Sequence, residues 1–141
     1  MKYRLTKETF QFNGHILHRI ECVTAFAHVK VGDKGGWIES EANLSQYGDA
    51  WVCGDARVYD DAKVYGNAKV CDNADYIVFK NWWSSGRYYT WTRSNNKWRV
   101  GCFYGTGEEL IAKAYKDSEV SGREYKRVVD YVNSILQEGK I

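Results

Sequence analysis

Proline is absent from this sequence, and methionine and histidine are scarce, with one and three residues among 141. The lack of proline excludes a proline-rich linker, and the ordinary apolar content excludes a disordered composition. No apolar run approaches the length of a membrane span, and the basic first residues do not lead into a signal-peptide core. We therefore expect a cytosolic globular protein that does not bind a membrane.

Metal-site spacing is also absent. The four cysteines, at positions 22, 53, 71 and 102, form no Cys-x-x-Cys motif and have no histidine partners at zinc-site spacing. We predict no metal site and no cofactor. The cysteines are expected to be free thiols, because a disulfide between Cys53 and Cys71 needs an oxidising compartment.

What the chain has instead is a repeat of six residues over positions 48–74, which we call the repeat segment. Alanine recurs at 50, 56, 62, 68 and 74, and valine recurs at 52, 58, 64 and 70. Alanine and valine share one face of a strand, and the pairs of Gly, Asp and Asn between strands favour turns. The residue between alanine and valine is expected to face outward: Trp51, Arg57, Lys63 or Lys69.

A short fixed period indicates a solenoid, here a parallel β-helix of about two coils with three repeat units in each coil. The pattern resembles the hexapeptide repeat of left-handed β-helix proteins, although glycine follows the aliphatic residue by two places here. Residues eighteen apart would then stack at the strand spacing of about 4.8 Å. The alternative is an ordinary β-meander. The stacked pairs predicted are Cys53–Cys71, Trp51–Lys69 and Arg57–Asp75.

The flanking segments predict the rest of the fold. Asn13 and Gly14 lie between apolar runs and predict a hairpin that covers one end of the β-helix. We expect a mainly β fold with C-terminal helices, which is a short left-handed β-helix followed by a β-hairpin and two α-helices. Its predicted domains are an N-terminal hairpin cap at 1–36, β-helix repeats at 37–79 and a hairpin with two helices at 80–141.

Turn and capping signals place the C-terminal elements. Residues 94–96 predict a hairpin turn. Thr106 with Glu109 forms the pattern of a capping box, and Ser121 with Glu124 repeats that pattern at the predicted start of a second helix. Gly139 is predicted to end this second helix.

The hairpin after the repeats interleaves aromatic and basic side chains. Such a surface suits stacked bases or nucleotides, and it suits a protein hot spot equally well. Tyr89 and Trp91 share one face of the predicted strand and Tyr88 and Thr90 share the other, so one aromatic row is expected to be core. We favour a protein contact, because a net charge of +2 is low for a phosphate-led binder. The predicted binding residues are Arg87, Tyr89, Trp91, Arg93, Lys97 and Arg99.

Acyl transfer is the enzymatic alternative, since many hexapeptide β-helix proteins are trimeric acyltransferases that rely on a histidine. His15, His18 and His28 all precede the repeats, so a general base at the coil edge is missing. We therefore predict that the protein is not an enzyme and has no catalytic residues. Flat β-helix faces are common oligomer surfaces, so we expect a homodimer or homotrimer.

Two parts of the chain resemble a widespread group of small bacteriophage and prophage proteins. Residues 20–23 and 35–45 with the repeats carry one motif set, and residues 89–96 and 98–110 carry the other. The resemblance implies a phage or prophage origin, the left-handed β-helix and the cytoplasm of a bacterial host, and it implies no settled activity. Small phage accessory proteins are often inhibitors of host defence, including anti-CRISPR proteins and scavengers of signalling nucleotides.

Three hypotheses on function follow. The first is a non-enzymatic phage-type accessory protein that binds and inhibits or sequesters a host component, such as a host protein or a protein–nucleic-acid complex. The second is a hexapeptide-repeat enzyme of the acyltransferase kind. The third is a module that binds a nucleotide or single-stranded nucleic acid through the aromatic hairpin.

Overall fold

The computed structural model describes residues 1–138, which form ten strands and two α-helices. The strands are β1 (Tyr3–Phe12), β2 (His15–Cys22), β3 (Lys34–Ile38), β4 (Trp51–Val52), β5 (Arg57–Val58), β6 (Lys69–Val70), β7 (Tyr76–Lys80), β8 (Tyr88–Thr92), β9 (Lys97–Val100) and β10 (Phe103–Gly105). The helices are α1 (Gly107–Asp117) and α2 (Glu119–Glu138). The strands form a mixed sheet in the order β1-β2-β3-β5, a parallel pair β4-β6 and an antiparallel sheet β10-β9-β8-β7.

The predicted left-handed β-helix is wrong, because the repeat strands do not stack as coils of one solenoid in the described residues. They are two residues long and belong to different sheets: β5 joins the N-terminal mixed sheet, while β4 and β6 form a pair of their own. The parallel neighbour of Arg57 is Trp37, and Asp75 lies in a 3-10 turn instead of a strand beside it. Six repeat units supply too few neighbours for a solenoid, so other segments complete the pairing.

The N-terminal hairpin is confirmed, but its predicted role as a cap over one end of a β-helix is wrong. Asn13 and Gly14 form the two-residue turn with φ of 50° and 84°, and Phe12 pairs with His15 across it. Strand β2 then pairs antiparallel with β3, which in turn pairs parallel with β5. The hairpin therefore extends the sheet sideways by backbone hydrogen bonding.

The spacing of eighteen residues is confirmed at one place in the repeat segment. Trp51 pairs with Lys69 and Val52 with Val70 in the parallel pair β4-β6. Cys53 and Cys71 follow these strands with a Cα–Cα distance of 4.4 Å and form a disulfide. The expectation of free thiols is therefore wrong for these two cysteines, since adjacent strands bring them within bonding distance.

The repeat core is the hydrophobic core that the repeat alanines and valines build. The alanines at 50, 56, 62 and 68 and the valines at 52, 58, 64 and 70 are each at most 1 % exposed, as their shared face predicts. The prediction that Trp51 faces outward is wrong: the residue is 6 % exposed, and its ring packs against Tyr3 and Phe26, with centroid distances of 6.4 Å and 5.3 Å. The N-terminal segment covers this tryptophan, which the repeat pattern alone cannot reveal.

The C-terminal sheet separates the repeat segment from the helices. One of its faces carries Tyr89, Trp91 and Trp98, which pack with Leu110 and Val129 of the helices in the aromatic core. The expectation that one aromatic row is core is therefore confirmed. The other face meets the repeat segment through hydrogen bonds from Lys63 N to Thr90 Oγ1 (2.9 Å), from Lys69 N to Ser94 Oγ (2.8 Å) and from Tyr104 Oη to Tyr65 O (3.2 Å).

The turn signals of the C-terminal region are confirmed in part. The hairpin at 94–96 joins β8 to β9, and Thr106 and Glu109 form the predicted capping box of α1. The predicted start of the second helix at Ser121 is wrong, because α2 begins at Glu119 and the Ser121 N–H donates to Ser118 Oγ at 3.0 Å. Gly139 lies outside the described residues. The domain limits 1–36, 37–79 and 80–141 stay predictions.

Candidate ligand-binding clefts

Two clefts open where the C-terminal sheet packs against the repeat segment. We call the first, of about 460 Å³, the aromatic cleft, and the second, of about 360 Å³, the basic cleft. Both are lined by Asp61 and Tyr88, so the two clefts adjoin. The lining of the aromatic cleft includes Phe12, Tyr59, Asp60, Asp61, Tyr76 and Tyr88. The lining of the basic cleft includes Asp61, Lys63, Arg87, Tyr88, Tyr89 and Arg99.

Strand pairing sets the position of Arg99 in the basic cleft. Arg99 pairs with Thr90 across β8 and β9, on the sheet face that meets the repeat segment. Its guanidinium carbon lies 4.2 Å from the ring centroid of Tyr65, a cation–π contact that fixes the guanidinium plane. Its Nε atom is buried and has no hydrogen-bond partner within residues 1–138. Arg99 is therefore a positioned cation that no carboxylate among residues 1–138 neutralises.

Two further cations complete the basic cleft. Lys63 comes from the repeat segment, held in place by its backbone hydrogen bond to Thr90. Arg87 precedes β8 and packs against Gly101, where a Cβ atom would collide with Arg87 Nη1. In the described part of the chain, none of these three cations forms a salt bridge, although Asp61 lines the same cleft. Three positive charges against one carboxylate leave the cleft electropositive.

The aromatic cleft is walled by rings from three parts of the chain. Phe12 ends β1, Tyr59 follows β5 and Tyr76 begins β7. The rings of Phe12 and Tyr59 meet edge to face at a centroid distance of 5.6 Å. The hydroxyl of Tyr76 donates to Arg57 O at 2.6 Å, and burial raises the pKa of Tyr76 to about 12, so this hydroxyl stays protonated at neutral pH. The wall is therefore rigid on this side.

The corner of the repeat at Asp60 supplies the carboxylates of the aromatic cleft. Asp60 has φ of 57°, a left-handed conformation that glycine adopts at the other corners, where Gly48, Gly54 and Gly66 have φ of 70°, 60° and 66°. The Asp60 N–H donates to Glu39 Oε1 at 2.8 Å, and hydrogen bonds from His15 and Asp60 hold the pKa of Glu39 below its usual value. An aspartate thus stands in a backbone conformation that favours glycine, at the mouth of a cleft.

The structure brings three of the six predicted binding residues to the basic cleft: Arg87, Tyr89 and Arg99. The Tyr89 side chain is 1 % exposed and its ring packs on Phe79 and Tyr125 in the aromatic core, with centroid distances of 5.7 Å and 5.2 Å. Tyr89 therefore borders the cleft without offering a ring face for stacking.

The other three predicted residues lie outside the two clefts. Trp91 is fully buried, and its Nε1 donates to Asn96 Oδ1 at 2.8 Å. Arg93 Nε donates to Ala74 O at 3.2 Å, and Lys97 lies over the ring of Tyr104 at 5.6 Å. Of these contacts, the one from Arg93 to Ala74 joins the hairpin to the repeat segment, and the other two lie within the C-terminal sheet.

Sequence reasoning missed Lys63, Tyr59 and the pair of aspartates as site residues. A signal was present: the unit that begins at Asp60 has an aspartate where three of the other units have a glycine. At this corner Asp60 lines the aromatic cleft and Asp61 lines both clefts.

Comparison with known proteins gives no match to a family model and no match among curated proteins. Neither helix of the described residues is long and apolar enough to cross a membrane. Within residues 1–138, no three His, Cys, Asp or Glu side chains converge in an arrangement that could hold a metal ion. The clefts must therefore be interpreted from their own geometry.

Proposed function

We propose that this protein is a non-catalytic binding protein and that its basic cleft holds a phosphate-bearing ligand. The observation that carries the proposal is the convergence of Lys63, Arg87 and Arg99 on one cleft without an ion-pair partner in the described residues. Like charges in one cleft repel each other, and a bound anion relieves that repulsion. Phosphate suits arginine in particular, because the planar guanidinium can donate two parallel hydrogen bonds to it.

The resemblance to phage accessory proteins extends this proposal. A phage-type protein that binds a phosphate-bearing host component can sequester or block it without chemistry. The partner would then be recognised by its phosphate group, whether it is a small molecule or part of a protein–nucleic-acid complex. A homo-oligomer remains part of the same proposal. The host cytoplasm stays a prediction, and the Cys53–Cys71 disulfide argues against a reducing compartment. The acyltransferase hypothesis loses its support, because it depended on a β-helix that these residues do not form.

Isothermal titration with inorganic pyrophosphate tests the proposal. We expect saturable binding that weakens as ionic strength rises, because screening reduces the attraction of partly exposed charges. Arg99→Gln should weaken binding roughly tenfold or more, since a charged hydrogen bond contributes about 1.5–3 kcal/mol. Lys97→Gln is the matched control, as it removes a positive charge from the same strand outside the cleft. Equal binding by the two variants would contradict the proposal.

A further inference from the structure

We infer that the ligand is a nucleotide, with its phosphate in the basic cleft and its base in the aromatic cleft. This inference rests on the proposed function and names the substrate class of the same site. Its basis is that Asp61 and Tyr88 line both clefts, so one ligand can occupy both. Each cleft lies within the range of about 300–1,000 Å³ that is usual for small-molecule sites.

The rings of the aromatic cleft fit a flat aromatic group. Tyr88 is 48 % exposed and stands at the boundary between the clefts, where a base joined to a phosphate would stack. Tyr59 comes from the repeat segment, directly after β5, and lines the same cleft. Such rings can stack on any of the bases, because every base has a π-face.

The two carboxylates complement the polar edge of a base or the hydroxyls of a ribose. Asp60 and Asp61 line the aromatic cleft, and their carboxylates accept no side-chain or backbone hydrogen bond within residues 1–138. Ionised carboxylates are acceptors only, so they pair with N–H and O–H groups. They also repel phosphate. Asp61 lines the basic cleft too, but Lys63, Arg87 and Arg99 outweigh its charge there, so the phosphate belongs in the basic cleft. The charges therefore fix the direction of the ligand across the two clefts.

An organic cation is the competing ligand for an aromatic cleft with carboxylates. The contacts of Arg57 argue against it, because the guanidinium of Arg57 already lies over the ring of Phe12 at 4.5 Å. A second cation at this ring would meet that positive charge. The adjoining Lys63, Arg87 and Arg99 add to the repulsion. A nucleotide avoids both repulsions, because its base is neutral and its phosphate is negatively charged.

Titration of the full chain with GMP, guanosine and inorganic phosphate tests the inference. GMP presents two adjacent N–H donors to a carboxylate and carries one phosphate. We expect GMP to bind at least tenfold more tightly than inorganic phosphate or guanosine. Tyr88→Leu should weaken GMP binding about tenfold and leave phosphate binding unchanged, whereas Arg99→Gln should weaken both. Tyr47→Leu is the control, because Tyr47 is 85 % exposed and lines neither cleft.

The two levels of the proposal fail in different ways. If phosphate and pyrophosphate bind through Arg99 but GMP binds no more tightly and Tyr88→Leu has no effect, the nucleotide assignment is overturned and the anion site stands. If no phosphate compound binds, the proposed function is overturned as well. Binding of tetramethylammonium that excludes GMP also overturns the assignment. A single-stranded oligonucleotide that binds 100-fold more tightly than GMP supports a nucleotide within a strand, and equal affinity supports a free nucleotide.

Discussion

The repeat core buries mostly small side chains, whereas the aromatic core buries large rings. The repeat core is filled mostly by alanines and valines at fixed intervals, with Tyr3 and Trp51 packed in the same cluster. Backbone groups approach closely there: a Cβ atom on Gly35 would lie 2.6 Å from Val52 O. The aromatic core instead buries Trp91, Trp98 and Tyr89 between a sheet and two helices. Small aliphatic side chains are thus the majority in the repeat core, while large rings dominate the aromatic core. Single truncations should therefore affect the two cores unequally.

The largest difference is expected from truncation of one side chain in each core. Trp98 is 1 % exposed, so Trp98→Ala should lower the free energy of unfolding by about 3–5 kcal/mol. Val58 is also fully buried, and Val58→Ala should cost about 2 kcal/mol, because two methyl groups are lost and a small cavity forms. Denaturant unfolding measures both losses. Equal losses of unfolding free energy would contradict the expectation that truncation costs more in the aromatic core than in the repeat core.

The second effect concerns the disulfide, which closes the repeat segment and has no counterpart in the aromatic core. Cys53 and Cys71 are 18 residues apart, and a loop of this size contributes about 3 kcal/mol through the entropy of the unfolded chain. The double variant with both cysteines replaced by serine should lose about this amount. Cys102→Ser is the control, because Cys102 is exposed and free. Intact mass spectrometry of the purified protein that found four free thiols would refute the disulfide.

The smallest effect is a dependence of stability on pH that begins at the repeat segment. Lys2 is 5 % exposed, and its Nζ donates to Ala50 O of the repeat segment at 2.6 Å. Burial lowers the pKa of Lys2 to about 8, so between pH 8 and 10 the unfolded chain holds a proton that the folded chain has lost. Stability should rise in this window by at most about 1 kcal/mol per pH unit.

Tyrosines give the opposite trend at higher pH. Burial raises the pKa of Tyr89 in the aromatic core and of Tyr3 and Tyr76, which pack in or against the repeat core, so these tyrosines stay protonated when the unfolded chain ionises. Their contribution is present below about pH 10 and is lost as pH rises through the folded pKa. Urea unfolding from pH 7 to 11 should show a rise and then a fall. Lys2→Met should remove the rise, while Lys7→Met, at an exposed position, should retain it.

Local signals in the sequence were sufficient for several elements. Asn13 with Gly14 specified a two-residue hairpin, and Thr106 with Glu109 specified a helix start, because both depend on backbone geometry within a few residues. The start of α2 was misplaced at Ser121, since Ser118 offers an equivalent hydroxyl three residues earlier. When two residues can cap a helix equally well, only the packing of that helix decides which one does.

The candidate site was predictable only in part. Arg87 and Arg99 were selected because basic and aromatic residues interleave in one hairpin, and both line the basic cleft. The repeat pattern predicts only that Lys63 faces outward, because Lys63 is 27 residues from Thr90 in sequence and only the tertiary fold joins the two. Trp91 was selected for its ring, which the helices bury completely.

By itself, the sequence determined which groups of the repeat face inward, because alternation along an extended chain is a property of the backbone. It also determined the pairing of Trp51 with Lys69, since the turn residues set the length of each unit. Only the tertiary structure decided that these strands join separate sheets and that Trp51 is buried. It alone brought Lys63 beside Arg99 and Asp61 beside Tyr88. The reason is that distant segments of the sequence determine which strands pair and which rings are buried. The periodicity of the repeat carries no information about those segments.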